Sequence, residues 1–428
     1  MKKPTSSLNA EAPKGALIAI LFTVMLDLIG IGIIIPVVAP LILNTKILLG
    51  EGFSDAERNI LLGLLLSSYP FAQFFGAPLL GALADRHGRR PVLLLAIAGA
   101  CIGFAVFALA IHLGLFWLLF VSRSVAGFMG GSIAIAYSVM SDITPAQNRA
   151  KNFGLIGAAF GVGFIIGPFL GGTLSNPAIL PWFSFQTPFI TSALLAMVNL
   201  VVVYFFLPET STSRNKTPIS VLTGFTNIYK AFTNNRLSKL FSVSFLLTLG
   251  FSFFAQFFQV YMIRKFGFGP SQVANVFAYI GVWAAVTQGG LIRLIPARFG
   301  PLSVLRITLI VLSFGLILLL VPEQPWVLLL FMPLVSVSQG FSNPNMNSAI
   351  SAMASPSEQG EIFGISQSLQ ALGLAIPPLI AGVLSNSDIR LPIAVASVIV
   401  FFAWLLVLRI PKPTEKVLSP DVGLEIGK

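Results

Sequence analysis

Twelve long apolar runs follow one another along the chain, and they restrict it to one kind of fold. Each run is close to the roughly 20 residues that an α-helix needs to cross a bilayer. The runs cover 15–43, 60–84, 91–112, 115–141, 151–175 and 188–207 in the first half, and 238–263, 272–296, 302–321, 326–351, 361–385 and 391–410 in the second. Backbone polar groups inside a bilayer must bond to each other, so each run is expected to be a helix. The sequence therefore predicts an all-α membrane protein with twelve transmembrane helices.

The net charge of +11 is explained by the orientation of these helices. With a cytoplasmic N-terminus, 20 basic residues lie on the inner side and 5 in the outer connections. This distribution satisfies the positive-inside rule with both termini in the cytoplasm. We therefore expect a multi-pass membrane protein whose partner is the lipid bilayer and not nucleic acid.

The chain divides into two similar halves. A polar, basic linker at 208–237 separates residues 1–207 from residues 238–411, and a tail follows at 412–428. The fifth run, Gly154–Gly172, and the eleventh, Gly364–Gly382, share a spacing of glycines and prolines at a constant offset of 210 residues. We interpret this as an internal duplication, which is the organisation of a large class of transporters.

Four motifs resemble a known family. GALADRHGRRP (Gly81–Pro91) and RSVAG (Arg123–Gly127) resemble signatures of the major facilitator superfamily. GLIGAAFGVGFIIGPFLGG (Gly154–Gly172) resembles the fifth-span motif of its drug/proton antiporters. LDLIGIGIIIP (Leu26–Pro36) is similar to the tetracycline-efflux branch. That branch carries acids in the third and ninth spans, where this chain has Gly103 and Leu312, which argues against tetracycline itself as the substrate.

The resemblance implies a specific architecture and activity. The fold would be two six-helix bundles, working as a monomer by alternating access. The function would be proton-coupled export of a small amphipathic, drug-like compound or metabolite, with the proton as coupling ion and no cofactor. The alternatives are a metabolite uniporter or symporter, and a non-transporting receptor or scaffold. Secondary transport is favoured because the chain has no phosphate-binding loop, and an enzyme is not expected because it has two histidines and no H-E-x-x-H motif.

Asp27 is the only acid deep within a predicted span. A charged residue at the bilayer centre costs about 2.5–3.5 kcal/mol on insertion scales, so burial favours the neutral carboxyl. A carboxyl that binds and releases a proton is what a proton carrier requires. The alternative is a carboxyl permanently hydrogen-bonded between packed helices.

Arg123 is the only base inside a predicted span of the first half. A buried guanidinium needs a partner. The candidates are Asp27 and the carbonyl groups near Gly30, Gly32 or Pro36. We expect Arg123 to act with Asp27 in proton coupling, and a purely structural pair is the alternative.

The connection between the second and third spans is expected to form a cytoplasmic gate. Its candidate residues, with one arginine at the start of the fifth span, are Gly81, Asp85, Arg86, Gly88, Arg89, Arg90 and Arg149. Asp85 could cap a facing helix, whose N-terminus attracts negative charge, with Arg149 as an ion-pair partner. The alternative is that the arginines only orient the chain in the membrane.

The fifth span is unusually rich in glycine. Its motif residues are Gly154, Gly163, Gly167, Pro168, Gly171 and Gly172. Glycines expose backbone to a closely packed neighbour, which we expect to be a helix of the other half. Pro168 would bend the span. Together they would form a seal that opens and closes, and simple tight packing is the alternative.

Amide side chains dominate the polar residues of the second half. With two residues of the first half, they are expected to line a midplane substrate cavity, and the set is Gln73, Tyr137, Gln256, Gln259, Gln288, Gln339, Asn343, Gln367 and Gln370. Such a cavity would suit an amphipathic organic compound. The alternative for each amide is a bond between helices, worth about 0.6 kcal/mol.

Overall fold

The computed structural model describes residues 14–144, 149–211, 222–234, 237–292, 299–353 and 359–411. The described residues form helices joined by short connections, as the apolar runs predict. The helices of the first half are α1 (Lys14–Leu43), α2 (Asp55–His87), α3 (Arg89–Leu113), α4 (Phe116–Phe128), α5 (Ser132–Ile143), α6 (Arg149–Leu174) and α7 (Thr187–Phe206).

The second half repeats this all-helical pattern after a short helix in the linker, α8 (Thr223–Thr233). Its helices are α9 (Ser238–Phe266), α10 (Pro270–Val286), α11 (Pro301–Leu318), α12 (Leu328–Ala352), α13 (Gln359–Ser387) and α14 (Leu391–Leu408). A π-helical turn (Thr287–Leu291) extends α10, and a 3₁₀ turn (Pro325–Val327) precedes α12. Ten helical segments of the described residues are long and apolar enough to cross a membrane, and the other two predicted spans fall on α6 and α10. The number twelve and the orientation stay predictions.

The fourth predicted span is two helices, which corrects the expectation of one continuous helix. The chain turns at Met129–Gly131, between α4 and α5. Within the turn, the N–H of Gly130 donates to the carbonyl of Gly127 at 2.9 Å. Paired glycines weaken a helix because they lose the most conformational freedom on folding. The N-terminus of α5 therefore lies inside the span instead of at the membrane surface.

The glycines of α6 face α1. A Cβ added at Gly163 would lie 2.6 Å from the Cβ of Leu28, and one added at Gly167 would lie 2.8 Å from the carbonyl oxygen of Ile29. Gly171 faces the next turn of α1, at Ile33. These three glycines are spaced by four residues and so share one face of α6. The expectation that they face the other half is wrong, because α1 belongs to their own half.

Gly172, the last residue of the motif, contacts the other half, and its counterpart Gly382 does the same. A Cβ at Gly172 would lie 3.0 Å from the carbonyl oxygen of Pro270, the first residue of α10. A Cβ at Gly382, 210 residues later, would lie 2.6 Å from the carbonyl oxygen of Asn59, near the start of α2. The duplication in the sequence is thus present in the packing. Gly154 lies in α6, but its surroundings fall outside the described residues.

Side chains join the halves at one end of the bundle. We call the end that carries the connections 44–54, 114–115, 175–186 and 267–269 the outer end, following the predicted orientation, and the opposite end the inner end. At the outer end, Asn59 Nδ2 donates to Asn386 Oδ1 at 2.9 Å. Arg264 forms an ion pair with Asp55 at 2.7 Å. These bonds close the outer end between α2 of the first half and α9 and α13 of the second.

Candidate functional site

Asp27 lies near the middle of α1 and is half-buried. Its Oδ2 accepts a hydrogen bond of 2.6 Å from the hydroxyl of Ser132. Ser132 is the first residue of α5, so the carboxyl faces the N-terminus of a helix that begins within the span. Helix N-termini stabilise negative charge. Sequence reasoning missed Ser132, although the glycine pair that precedes it weakens the helix at this point.

Arg123 lies on α4 and is 8 % exposed. Its guanidinium carbon lies 4.5 Å from the ring centroid of Tyr69 on α2. A desolvated cation–π contact of this kind contributes about 2 kcal/mol. Among the described residues, no carboxylate lies within ion-pair distance of Arg123, and its Nε has no hydrogen-bond partner. The direct pair with Asp27 is therefore not formed, and Tyr69, which sequence reasoning missed, contacts the guanidinium instead.

One small cavity brings these groups together. Asp27, Tyr69, Arg123 and Ser132 all line it, and its volume is about 30 Å³. A volume of about 10–15 Å³ is enough for one water molecule. The two charged residues predicted to act together thus share a water-sized space without touching each other. This arrangement can hold a proton on Asp27, and the hydroxyl of Ser132 stabilises the carboxylate that remains when the proton leaves.

The structure places the two predicted cavity residues of the first half, Gln73 and Tyr137, differently. Gln73 lies beside this small cavity, and Tyr137 lies on α5, the helix that begins with Ser132. Gln73 Nε2 donates to the carbonyl of Gly130 at 2.8 Å. Gly130 belongs to the turn between α4 and α5 and lines the same small cavity. Gln73 therefore supports the break that presents Ser132 to Asp27. Tyr137 is half-buried on α5.

Gln256 and Gln259 bond between and within helices. Gln256 Nε2 donates to the carbonyl of Leu374 at 3.1 Å. In a regular helix that carbonyl accepts from residue 378, which is Pro378 and has no N–H. Gln256 thus donates to a carbonyl group that the proline leaves without its usual partner. The hydroxyl of Ser252 donates to the same carbonyl of Leu374 at 3.4 Å. Gln259 is buried and donates to the carbonyl of Gln256 at 3.0 Å.

The other amides of the second half differ in exposure. Asn343 on α12 and Gln367 on α13 are exposed, which for polar side chains of membrane helices fits a water-filled space. Gln339 Nε2 lies 3.5 Å from Asn343 Oδ1, one turn away. Gln370 bonds within its own helix, and Gln288 is half-buried in the π-helical turn.

This difference predicts two distinct mutant behaviours. Gln256→Leu is expected to lower the stability of the solubilised protein by about 1–3 kcal/mol, because a part-buried carbonyl loses its main donor, while the KM for substrate stays unchanged. Asn343→Leu is expected to raise KM with little loss of stability. Thermal unfolding and transport kinetics of both variants test this. A raised KM in Gln256→Leu would show that Gln256 contacts substrate after all.

The predicted gate residues form a charged cluster at the inner end. Asp85 and Arg89 form an ion pair at 2.5 Å across the connection between α2 and α3. Arg89 Nε also lies 3.5 Å from Asp142 Oδ2 at the end of α5. Gly88, between the two helices, has a φ of 111°, which favours glycine over other residues.

The described partners of this cluster belong to the first half or to the start of the linker. Asp85 was expected to cap a facing helix. Its described ion-pair partner is instead Arg89, at the start of the next helix, α3. Arg86 is exposed, and no atom lies within 4 Å of a Cβ added at Gly81. Arg149 begins α6, but its side chain falls outside the described residues. A closing contact between the halves therefore stays a prediction.

Glu209, just after α7, completes the inner cluster and was missed by sequence reasoning. Its carboxylate accepts hydrogen bonds from the backbone N–H groups of Arg89 at 2.8 Å and Arg90 at 3.2 Å. It therefore caps the N-terminus of α3. Burial raises the pKa of Glu209, but the N–H groups of Ser211, Arg89, Arg90 and Thr210 outweigh it and hold the pKa below its ordinary value.

The lowered pKa of Glu209 predicts a pH-dependent stability. A carboxyl with a depressed folded pKa contributes to the free energy of unfolding above its ordinary pKa, and this contribution is lost as the pH falls through the folded pKa. Glu209→Gln is expected to lower the free energy of unfolding by about 0.5–1 kcal/mol at neutral pH. The effect is small because the capping carboxylate lies near solvent. Thermal unfolding across a pH series should show the difference vanish in acid. Glu323→Gln, which changes an exposed pair with Lys265, is the control. A deficit that persists in acid contradicts the capping role.

A bundle of membrane-crossing helices, with a titratable group beside a small internal cavity, defines a class: the helical membrane transporters. The model of the Major Facilitator Superfamily matches residues 20–376 and 297–425. The chain belongs to this superfamily. Its members are transporters and not enzymes, so the chain is a multi-pass membrane transporter.

Known relatives agree with this assignment. The tetracycline resistance protein, class C, of Escherichia coli is 31% identical over 366 residues, which cover 85% of this chain and 88% of that protein. The crystal structure of the human organic anion transporter MFSD10 (TETRAN) has a TM-score of 0.73 at 24% identity, over 93% of this chain and 100% of that one. A D-xylose-proton symporter has a TM-score of 0.74 at 16% identity, over 92% and 98%. These two structural likenesses concern the fold alone.

Proposed function

We propose that the chain exports a small amphipathic organic compound in exchange for protons, by alternating access. The similarity to tetracycline resistance proteins supports export. The observation that carries proton coupling is the placement of Asp27 at the N-terminus of α5, beside the cavity it shares with Arg123. We further propose two six-helix bundles, residues 1–207 and 238–411, with cytoplasmic termini, acting as a monomer in a bacterial inner membrane.

The surroundings of Asp27 favour both of its protonation states, as a carrier requires. The helix N-terminus and the hydroxyl of Ser132 stabilise the carboxylate, while the apolar surroundings stabilise the neutral acid. When the transporter switches from being open at one end to being open at the other, the hydration around Asp27 changes. Asp27 would then take up a proton from one side and release it to the other.

The substrate is proposed to bind between the halves, near the exposed amides Asn343 and Gln367. These neutral groups offer hydrogen bonds without a fixed charge, which suits an amphipathic compound. The seal at the outer end, from Asn59 to Asn386, would open when the inner end closes.

An organic anion is a second candidate substrate, and Arg123 is the observation that favours it. No carboxylate pairs with this guanidinium among the described residues. Protonation of Asp27 would remove the negative charge that lines the same cavity and would strengthen the binding of an anion to Arg123. Proton and anion would then move in the same direction, as in a symporter.

Purified protein in liposomes with an internal pH-sensitive dye tests these proposals. Amphipathic cations, organic anions and neutral metabolites are added to one side in turn. Exchange is expected to drive protons out of the compartment that the substrate enters. Movement of both in one direction would support the anion symporter instead. Substrate flux without any change of pH would overturn proton coupling.

A further inference from the structure

The linker helix α8 has one face packed into the protein. Ala231 is fully buried, and a Cβ added at Gly224 would lie 2.7 Å from the ring of Phe74 on α2. Asn227 is buried and donates to Ser368 Oγ on α13 at 3.0 Å. This small-residue face therefore sits against both halves, beside the contact between α2 and α13.

The opposite face of α8 carries an exposed aromatic row. Phe225, Tyr229 and Phe232 are 53, 71 and 49 % exposed, and their spacing of four and three residues places them on one side of the helix. Thr226 and Thr233 are also exposed and lie along one edge of this row. An apolar row beside a polar one is the pattern of a helix that lies in the plane of a membrane interface.

The aromatic row continues onto helices that cross the membrane. The ring of Phe225 lies 5.9 Å from that of Phe75 on α2, and Phe75 lies 5.4 Å from the exposed Phe71. At the other end of α8, Phe232 lies 6.5 Å from Phe245 on α9. The exposed row of α8 is thus continuous with exposed and half-buried aromatic side chains on a helix that is long and apolar enough to cross a membrane. A continuous aromatic surface of this kind favours lipid as the occupant of the row.

We propose that α8 lies in the inner bilayer interface, with Phe225, Tyr229 and Phe232 inserted at the boundary of head groups and acyl chains. Aromatic side chains are enriched at that depth because their rings are apolar and their edges tolerate water. The partner is the lipid itself, bound by apolar contact. Because the other face of the same short helix contacts Phe74 and Ser368, the bilayer holds the linker against the junction of α2 and α13.

Site-directed spin labelling tests the position of α8. Cys101 is the only cysteine of the chain, so Cys101→Ser gives a cysteine-free background. Single cysteines are placed in the row by Tyr229→Cys and Phe232→Cys, and beside it by Thr226→Cys and Thr233→Cys. All four positions are exposed, so labelling leaves the packed face intact. The protein is reconstituted in liposomes of phosphatidylcholine and phosphatidylglycerol.

Collision rates with oxygen and with a water-soluble nickel complex report the depth of each label. The ratio of oxygen to nickel collisions is expected to be severalfold higher at positions 229 and 232 than at 226 and 233. Equal ratios would place the row in water and overturn the proposal. Low collision rates with both reagents at 229 and 232 would show a protein cover and would also overturn it. Unchanged thermal unfolding of each variant confirms that the label reports the native helix.

Discussion

Asp27→Asn is expected to separate substrate movement from proton movement. Asparagine has nearly the same shape as the acid and can still accept a bond from Ser132, but it cannot bind and release a proton. Substrate-driven pH changes should fall by about 100-fold or more, the lower limit for loss of a positioned proton-transfer group. Exchange of labelled for unlabelled substrate without a pH gradient should continue. Dye-loaded liposomes and isotope exchange measure the two rates on the same preparation.

A second buried polar residue provides the control. Ser122 lies one residue from Arg123 on α4, is 2 % exposed, and donates to the carbonyl of Gly103 at 2.7 Å. Ser122→Ala removes a buried hydrogen bond but no titratable group, so coupling should remain near the wild-type level. If Asp27→Asn still moved protons with substrate, another group would carry them. If it lost exchange as well, Asp27 would serve packing or substrate binding.

The helices could be predicted from the sequence because apolar length alone determines what crosses a bilayer. The break at Met129–Gly131 was not predicted, although two adjacent glycines, Gly130 and Gly131, interrupt the apolar run there. The helix α8 was missed because it is short and polar in composition. Its amphipathic pattern is present in the sequence, where Phe225, Tyr229 and Phe232 are spaced by four and three residues, but the segment was interpreted only as a polar, basic linker.

The partners of the site residues could be predicted far less well. Spacing placed Gly163 and Gly167 on one face of α6 but could not tell which helix covers that face. Asp27 and Arg123 were recognised because a charge in a span is costly. Tyr69 and Ser132 carry no such signal, and only the fold brings them to the cavity. Likewise, Pro378 predicts a freed carbonyl at Leu374, but not which side chain would bond to it.

Gly63→Ala is expected to shift the transporter toward the arrangement that is open at the outer end. A Cβ at Gly63 would collide with the carbonyl oxygen of Pro378, a backbone atom that cannot rotate away. Overpacking of this kind costs about 1–3 kcal/mol. The cost applies only while α2 and α13 are in contact, so the closed state should lose population by about 5- to 150-fold relative to the open one. Transport should slow accordingly, while insertion into the membrane stays normal.

The shift can be measured at Ser67, which is 4 % exposed between the halves and donates to the carbonyl of Ala375. In a Cys101→Ser background, Ser67→Cys reports opening through its labelling by a membrane-impermeant maleimide. Gly63→Ala should accelerate labelling, whereas Gly364→Ala should not, because no atom lies within 4 Å of a Cβ at Gly364 on the same helix α13. Faster labelling with slower transport would mean that contact between α2 and α13 sets the balance of the cycle. Unchanged labelling with normal transport would instead mean that the two helices stay together throughout, so that alternating access would have to occur elsewhere in the bundle.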